Sequence, residues 1–445
     1  MTQWPSEFLD RIKKVRPDDF ESLLLSLSEP QVTSIRLHSL KGRVADFESA
    51  ENISWCKSGR YLIERPYFTH DPLIHAGGYY VQEASSMFLE QIVASFLKNI
   101  SQPFILDLCA APGGKSTHLL SLMEGKGLLV SNEIVPNRNA VLRENITKWG
   151  YANVVVTQNE AVDFAKSNLL FDAIVVDAPC SGEGMFRKDK NAISEWSISN
   201  VENCVVRQKN ILEDIVKALK PGGLLVYSTC TFEPDENINQ MHELLRGGEF
   251  EPYILADDFT SLGVEKIERY GAFGFSFYPH KVRGEGFFIS ALVKKGDLIS
   301  EASSQKLKSV KTSDALHAFF RVEHPPVVSF KEAFHLVTDE YGRYMDRLRS
   351  SLRIKKEGVN AGTLKGKDFI PNPDLAFSID LSENIPRIEL DIDSAIRFLK
   401  CENIHFPGLD KGWYLATYKG LGLGWTKVMD SRSNNYFPSN WRILK

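Results

Sequence analysis

The sequence predicts an α/β protein. A doubly wound parallel sheet is expected at its centre, an α+β extension before it, and a further region after it that ends in a small β-barrel. Three observations carry that reading. Between Phe104 and Ser228 short continuous apolar runs alternate with stretches of helical periodicity, as strands buried on both faces of a parallel sheet do. The 445 residues suffice for two or three domains with sizeable cores. Hydrophobic residues are 43% and charged residues 25%, an ordinary balance for a water-soluble chain, and no apolar run is long enough to span a bilayer.

Each element follows from its own pattern. Residues 1–75 mix a helix from Glu7 to Val15 with a strand over Thr33–Leu37. The segment Gly77–Met87 opens a helix whose apolar face is Met87, Phe88, Ile92, Val93 and Phe96. Strands are expected at Phe104–Leu108, Leu128–Glu133, Val154–Thr157, Ala173–Asp177 and Leu224–Ser228. Helices are expected at Ser116–Met123, Arg138–Trp149 and 200–219, the last stopped by Lys220-Pro221-Gly222-Gly223. Phe273–Tyr278 and Gly286–Val293 read as closing strands. Gly296–Asp314, rich in Ser and Lys, reads as a linker. Trp413–Tyr418 and Gly424–Met429 read as a hairpin around Lys419–Leu423, so the glycines at 420, 422 and 424 are turn punctuation rather than a nucleotide loop.

Composition narrows the chemistry. The N-terminus lacks the basic-then-apolar pattern of a secretion signal, so a cytoplasmic protein is expected. The cysteines at 56, 109, 180, 204, 230 and 401 form no C-x-x-C pair. No metal centre or disulfide framework is therefore expected, and free thiols remain as potential nucleophiles. The net charge of −4 does not suggest a nucleic-acid partner. Local distribution counts for more: from Arg343 to Asp368 eight basic residues (343, 347, 349, 353, 355, 356, 365, 367) stand against three acidic ones. That stretch is either a solvated face or part of an RNA surface.

Three motifs sit at predicted strand ends, where open α/β sheets bind ligands. Asp107-Leu108-Cys109-Ala110-Ala111-Pro112-Gly113-Gly114-Lys115 follows the first strand. Its small residues let backbone approach a ligand, although an ordinary tight turn is the alternative. Glu133 ends the second strand, where an acid can accept hydrogen bonds from two ribose hydroxyls. Asp177-Ala178-Pro179-Cys180-Ser181-Gly182 and Ser228-Thr229-Cys230-Thr231 close the fourth and fifth. If those strands are neighbours, about 5 Å apart, both thiols can face one pocket.

These motifs resemble the RNA (cytosine-5)-methyltransferases of the Nop/Sun group, and within it the bacterial RsmF type, over nearly the whole chain and most tightly from Gln82 to Asn237. The resemblance implies a Rossmann-like class I methyltransferase domain at 76–295. It also implies an RNA-binding extension at 1–75, a linker at 296–314, an RsmF-type intermediate region at 315–380 and a PUA-like domain at 381–445. It implies S-adenosylmethionine held by Cys109, Ala110, Ala111, Pro112, Gly113, Gly114 and Lys115, with Glu133 on the ribose and Asp177 beside it. Arg138 matches a family arginine, with a helix salt bridge as the equal alternative. Glu160 stands where the family has Asp near the adenine. Cys230 is implied as the nucleophile and Cys180 as the residue that aids release, with Asp177 and Lys115 assisting. Small-subunit (16S) ribosomal RNA or the 30S subunit is the implied substrate and tRNA the runner-up, for a monomer in the cytoplasm with no membrane partner. A non-catalytic ribosome-assembly factor is the competing class, and the intact thiols argue against it.

The chemistry explains the thiols. Carbon 5 of cytosine is a poor nucleophile, and thiolate addition at carbon 6 activates it. An amine-methylating enzyme would carry (Asn/Asp)-Pro-Pro-(Tyr/Phe) where this chain has Asp-Ala-Pro-Cys. The segment Arg36-Leu37-His38-Ser39-Leu40-Lys41 resembles the family's Arg-x-Asn-x-x-Lys stretch and is expected near RNA. Trp413, Trp425, Tyr436 and Trp441 are either base-stacking or core residues.

Overall fold

The computed structural model describes every residue except 1–3, 43, 299–306, 308, 311–313, 323–324, 367 and 445. Five apolar runs form parallel strands: β1 (Phe104–Asp107), β2 (Leu128–Asn132), β3 (Val154–Thr157), β4 (Phe171–Asp177) and β5 (Leu219–Thr229). Their order is β3-β2-β1-β4-β5. β6 (Glu265–Arg269), β7 (Ala272–Phe277) and β8 (Phe287–Lys294) extend the sheet antiparallel, with β8 inserted between β5 and β7.

Alternation along each strand divides the core in two. Ile105, Leu129, Val154, Val156 and Val175 face one side, against Leu119 and Leu120 of helix α1 (Gly114–Met123) and Leu142 and Ile146 of α2 (Pro136–Trp149). Phe104, Leu106, Val130, Val155 and Ile174 face the other, against Leu212 and Ile215 of α3 (Ile198–Ile215). Full burial of each such side chain contributes about 1.5–3 kcal/mol. Strand order reverses between β1 and β4, so the loops after them diverge and open a crevice at their carboxyl ends.

Regions flanking the central sheet are knitted into it. Before it, a four-stranded antiparallel sheet runs in the order Glu51–Ile53, Cys56–Tyr61, Ser34–Leu37, Tyr79–Val81. After it, helix α4 (Asp339–Ser351) buries Tyr341, Tyr344 and Leu348 on the second face. The short strand β9 (Ile354–Glu357) then pairs antiparallel with β3. The segment read as an intermediate region thus supplies a strand to the central sheet. Past Gly358 the chain returns to a second four-stranded sheet begun before α4, in the order Val327–Phe330, Ala333–Leu336, Val359–Lys365, Asp368–Pro371. The chain closes with a sheet of Arg387–Glu389, Gly412–Tyr418, Leu421–Val428 and Ser433–Asn435. Among the described residues no helix is long and apolar enough to cross a membrane.

Several expectations need correcting. Lys220–Gly223 does not separate helix from strand; it lies inside β5 as an irregularity opposite Phe171–Ala173, with the Lys220 ammonium 2.8 Å from the Asp172 carboxylate. Charge pairing and sheet bonds there outweigh the breaker residues. The hairpin turn near 420 is Lys419-Gly420, shorter than read, because Leu421 already pairs with Tyr418. Most of the expected linker lies outside the described residues, although Leu307 and Val310 pack against the neighbouring cores.

Candidate active site

The loops after β1, β4 and β5 converge on a cavity of about 290 Å³ whose lining includes Ala111, Lys115, Asp177 and Cys230. That volume lies near the lower end of small-molecule sites. A larger groove of about 1160 Å³ runs between Trp4, Leu27, Arg187 and Trp196, and neither cysteine nor histidine lines it.

The two thiols meet. Cys180 Sγ lies 3.2 Å from Cys230 Sγ, and the Cys230 backbone N–H reaches Cys180 Sγ at 3.4 Å. β4 and β5 pair in register from Ala173–Leu224 to Asp177–Ser228, which brings the two loops side by side. Both cysteines are half-buried and unbridged. The hydrogen bond to Cys230, together with burial, pushes the Cys180 thiol well above its ordinary value. Cys180 therefore keeps its proton near neutrality.

Asp177 is held on two sides, by Lys115 Nζ at 2.8 Å and by the Ser228 hydroxyl at 2.8 Å. Its side chain is 36% exposed and Lys115 only 10%, so the carboxylate faces the cavity and the ammonium supports it. Behind the cavity Asp107 is fully buried and accepts from the Ser116 hydroxyl at 2.6 Å. Burial raises its carboxyl to about 7, and its Oδ1 has no hydrogen-bond partner.

Between them runs the turn Leu108–Gly113, capped at α1 by Gly113 at φ +117°, a conformation that favours glycine. Cys109, Ala110, Ala111, Pro112 and Gly114 line the cavity. Burial raises the Cys109 thiol, so it stays protonated. Arg138 braces the turn by donating to the Ala111 carbonyl at 2.9 Å, and its NH1 lies 3.5 Å from Glu133.

Two candidates sit less openly than the motifs suggest. Glu133 is at the expected strand end but is 3% exposed, and its Oε1 accepts the Val135 N–H at 2.9 Å. Glu160 caps the helix Ala161–Lys166 in a reciprocal pair with Asp163, away from the cavity lining.

Within the segment expected near RNA, Ser39 and Leu40 are exposed, but the three residues that carry the resemblance are engaged inside the protein. Arg36 is 0% exposed and donates to Gln82 Oε1 at 2.8 Å and Thr117 Oγ1 at 2.6 Å. His38 is 2% exposed; its Nε2 meets the Trp149 carbonyl, and its Nδ1 accepts the Leu40 and Lys41 N–H groups. Lys41 Nζ donates to the carbonyls of Lys148 and Phe377. These residues fasten the N-terminal sheet to the central one. Nearby, Cys56, Glu90 and His118 bring three ligand atoms within 4.8 Å of one another. They are paired among themselves, with His118 Nε2 at 3.1 Å from Glu90 and 3.9 Å from Cys56 Sγ. Of the aromatic candidates Trp425 is fully buried, while Trp413 and Tyr436 meet edge to face at 4.6 Å, with Lys427 over Trp413.

Sequence reasoning missed Glu183 and Glu236, buried carboxyls below the thiols. Both lie in polar runs that read as solvated turns. Only their proximity to Cys180 and Cys230 in the chain could have signalled them.

Comparisons with known proteins agree across the chain. Residues 94–293 match the family described as 16S rRNA methyltransferase RsmB/F, 4–84 the N-terminal domain of 16S rRNA methyltransferase RsmF, and 385–443 the methyltransferase RsmF PUA domain. Ribosomal RNA small subunit methyltransferase F of Shewanella loihica is 30% identical over 470 residues, covering 98% of this chain and 95% of its own. The protein of the same name from Aliivibrio salmonicida is 28% identical, covering 98% and 96%. Among solved structures, a methyltransferase homolog protein from Pyrococcus horikoshii superposes with a TM-score of 0.56 at 27% identity, over 66% of this chain and 96% of that one.

Proposed function

This chain belongs to the ribosomal RNA small subunit methyltransferase F family, and from that premise we propose that it methylates carbon 5 of a cytosine in 16S ribosomal RNA. The observation that carries the proposal is the thiol pair, 3.2 Å apart at the ends of adjacent parallel strands, with Cys230 lining the cavity.

The residues present fit S-adenosylmethionine. The Ala110–Gly114 turn is small enough for close approach, α1 points its N-terminus at the cavity, and Asp107 stands behind with an unpartnered oxygen. Ala110, Ala111, Pro112, Gly113 and Gly114 would cradle it, with Glu133 toward its ribose and Asp177 between it and the base. When bound, it supplies an electrophilic methyl group on a sulfonium.

The chain's own residues then divide the work. Cys230, as thiolate, adds to carbon 6 of the cytosine, which makes carbon 5 nucleophilic. Asp177, held by Lys115 and Ser228, faces the polar edge of the base and steadies charge at its ring nitrogen. After methyl transfer water takes the carbon-5 proton, the freed electron pair re-forms the 5,6 double bond and expels Cys230 as thiolate, and the Cys180 thiol, beside the leaving sulfur, assists that release by hydrogen bonding to it. A target in folded RNA must leave its stack to reach the thiols. The C-terminal sheet and the N-terminal extension would hold the RNA around that base.

The test is methyl transfer from labelled S-adenosylmethionine to 16S ribosomal RNA, with 5-methylcytosine mapped in the product. The expected result is one or more modified cytosines, absent with Cys230→Ala. Transfer to tRNA alone would move the substrate, and transfer to no RNA would favour an assembly factor.

A further inference from the structure

Beneath the thiols four side chains form one buried bridge between the two catalytic loops. Ser181 follows Cys180 and Thr231 follows Cys230, and their hydroxyls meet at 2.9 Å. Ser181 Oγ also contacts Glu236 Oε1, and Thr231 Oγ1 contacts Glu183 Oε2 at 2.9 Å. Glu183 is 1% exposed and Glu236 0%. The Gly184 N–H donates to the Cys230 carbonyl at 2.9 Å, so the bridge helps set the spacing of the loops that present the thiols.

The bridge holds one proton more than its hydroxyls provide. Three oxygen–oxygen contacts need three protons, and Ser181 and Thr231 supply two. The third must reside on a carboxyl. Glu183 accepts the Trp196 indole N–H at 2.9 Å and the Phe232 N–H at 2.7 Å besides Thr231, and it also meets the Glu233 carboxyl, so a proton on Glu183 is shared with Glu233 and Thr231 is left to donate to it. Glu236 takes the Ser181 N–H at 3.0 Å and the Gln208 amide at 2.8 Å on Oε2, which leaves Oε1 to Ser181 Oγ. With the proton on Glu236 Oε1, each hydroxyl donates once: Glu236 to Ser181, Ser181 to Thr231, Thr231 to Glu183. The Glu233 N–H fills the remaining acceptor position on Thr231 at 3.2 Å.

We propose that Glu236 is a positioning residue that stays protonated, and that the proton it lends to the Ser181–Thr231 bridge locks the Cys180 and Cys230 loops in register. This rests on the methyltransferase reading of the thiols. Burial raises both carboxyls, Glu183 to about 8 with further help from the charge of Glu233. The charged and titratable groups around them begin with Tyr227 of β5, whose hydroxyl donates to the Glu236 carbonyl at 2.6 Å. Glu233 and Asp235 lie on the Cys230 loop and are paired to Arg11 of the first helix at 2.6 and 2.7 Å. Cys204 approaches from α3, and Cys180 and Cys230 stand above. No cation is paired to Glu236 or Glu183 among the described contacts, so loss of the proton puts an uncompensated charge below the reacting sulfur. The lock therefore opens in alkali, opposite in sign to the gain expected from forming a thiolate.

Glu236→Gln replaces the titrating donor with a permanent one, because an amide N–H can face Ser181 Oγ while its carbonyl keeps the two N–H contacts. Two measurements test this. Methylation by Glu236→Gln should stay within about threefold of the wild-type rate near neutrality. It should hold into the alkaline range, where the wild type declines, and Glu236→Ala should be slow throughout. Thermal unfolding of the apo-protein gives a readout independent of RNA. A carboxyl whose folded-state pKa is raised contributes stability that is full below its unfolded value and lost as pH rises through the folded one. The wild type should thus lose stability relative to Glu236→Gln as pH rises above the ordinary carboxyl range. Parallel unfolding curves, or identical alkaline limbs in the two rate profiles, would overturn the proposal. If no RNA is methylated at any pH the functional reading fails, and the unfolding curves still decide the bridge.

Discussion

Helix α1 carries polar groups to both of its sides, and only one side is open. On one, Lys115 reaches Asp177 at the rim of the cavity, where the carboxylate is 36% exposed. On the other, Thr117 and His118 meet Arg36, Glu90 and Cys56 below the N-terminal sheet, and none of these five is more than 7% exposed. Each side has a cation, a carboxylate and a nearby cysteine. The sealed set is turned on itself and closed to any ligand, although Arg36 Nη1 and His118 Nδ1 have no hydrogen-bond partner: burial and the nearby Arg36 lower His118 to about 4, and the hydrogen bond from neutral His118 overcomes burial to hold Glu90 at about 2. The open set keeps an acceptor and a thiol facing space. Residue types do not make a site; unspent hydrogen-bonding and nucleophilic capacity at a cavity does.

The largest effect tests that contrast at the cysteines. Cys230→Ala should reduce methylation by roughly a thousandfold or more, because no nucleophile is left to activate the base. Cys180→Ala should let attack and transfer proceed but stall release, so a covalent protein–RNA adduct that needs Cys230 survives denaturing electrophoresis. Cys56→Ala, in the sealed set, should keep the rate within about threefold. An adduct in Cys230→Ala and none in Cys180→Ala would reverse the two roles. A hundredfold loss in Cys56→Ala would break the comparison itself.

Next come the two cations. Arg36→Met removes the buried charge that balances Glu90 and should destabilise the fold by about 3–5 kcal/mol, read from denaturant unfolding. Lys115→Met should do little to stability and lower kcat by about tenfold to a hundredfold, since Asp177 loses its support in the water-poor cavity. The sealed side should also fail in acid. His118, lowered when folded, binds its proton more readily unfolded, so stability is lost as pH falls from its unfolded value near 6.5 toward 4. At about pH 5 that amounts to roughly 2 kcal/mol relative to neutrality, a difference that His118→Gln should remove.

How far these two sides could be read from sequence follows from how local their signals are. β1 to β5 are near-continuous Val, Ile and Leu, and Pro179-Cys180 and Thr229-Cys230 fall just where those runs stop, so strand and site were visible together. Arg36, His38 and Lys41 carried no such local sign. Their partners include Thr117, Trp149 and Phe377, up to 336 positions away, and a charged residue next to a strand reads as exposed until those contacts are known. β9 was hidden for the same reason: Ile354-Lys355-Lys356-Glu357 is too polar to look like sheet and is held by backbone pairing to β3. Glu236 sits in Glu233-Pro234-Asp235-Glu236-Asn237, a polar run typical of a turn, although its carboxyl is fully buried.

The smallest expected effect concerns the basic stretch 343–368, where pairing again separates open from closed. Arg349 is tied to Glu357 at 2.6 Å and Arg343 to Glu340 at 2.8 Å, Lys356 is paired with Asp374, and Lys367 lies outside the described residues. Arg353 and Lys365 are exposed, and Lys355 is half-buried. Replacing Arg353 and Lys365 with Gln should weaken 16S ribosomal RNA binding by roughly threefold to tenfold and flatten the salt dependence by about one to two units of slope. The same change at Arg349 should lower stability instead, because it leaves the buried Glu357 carboxylate, 0% exposed, without its partner. If the Arg353/Lys365 double variant keeps both affinity and slope, this face is only solvated. RNA would then have to be held by other surfaces, the Trp413, Tyr436 and Lys427 cluster of the C-terminal sheet being the next to test.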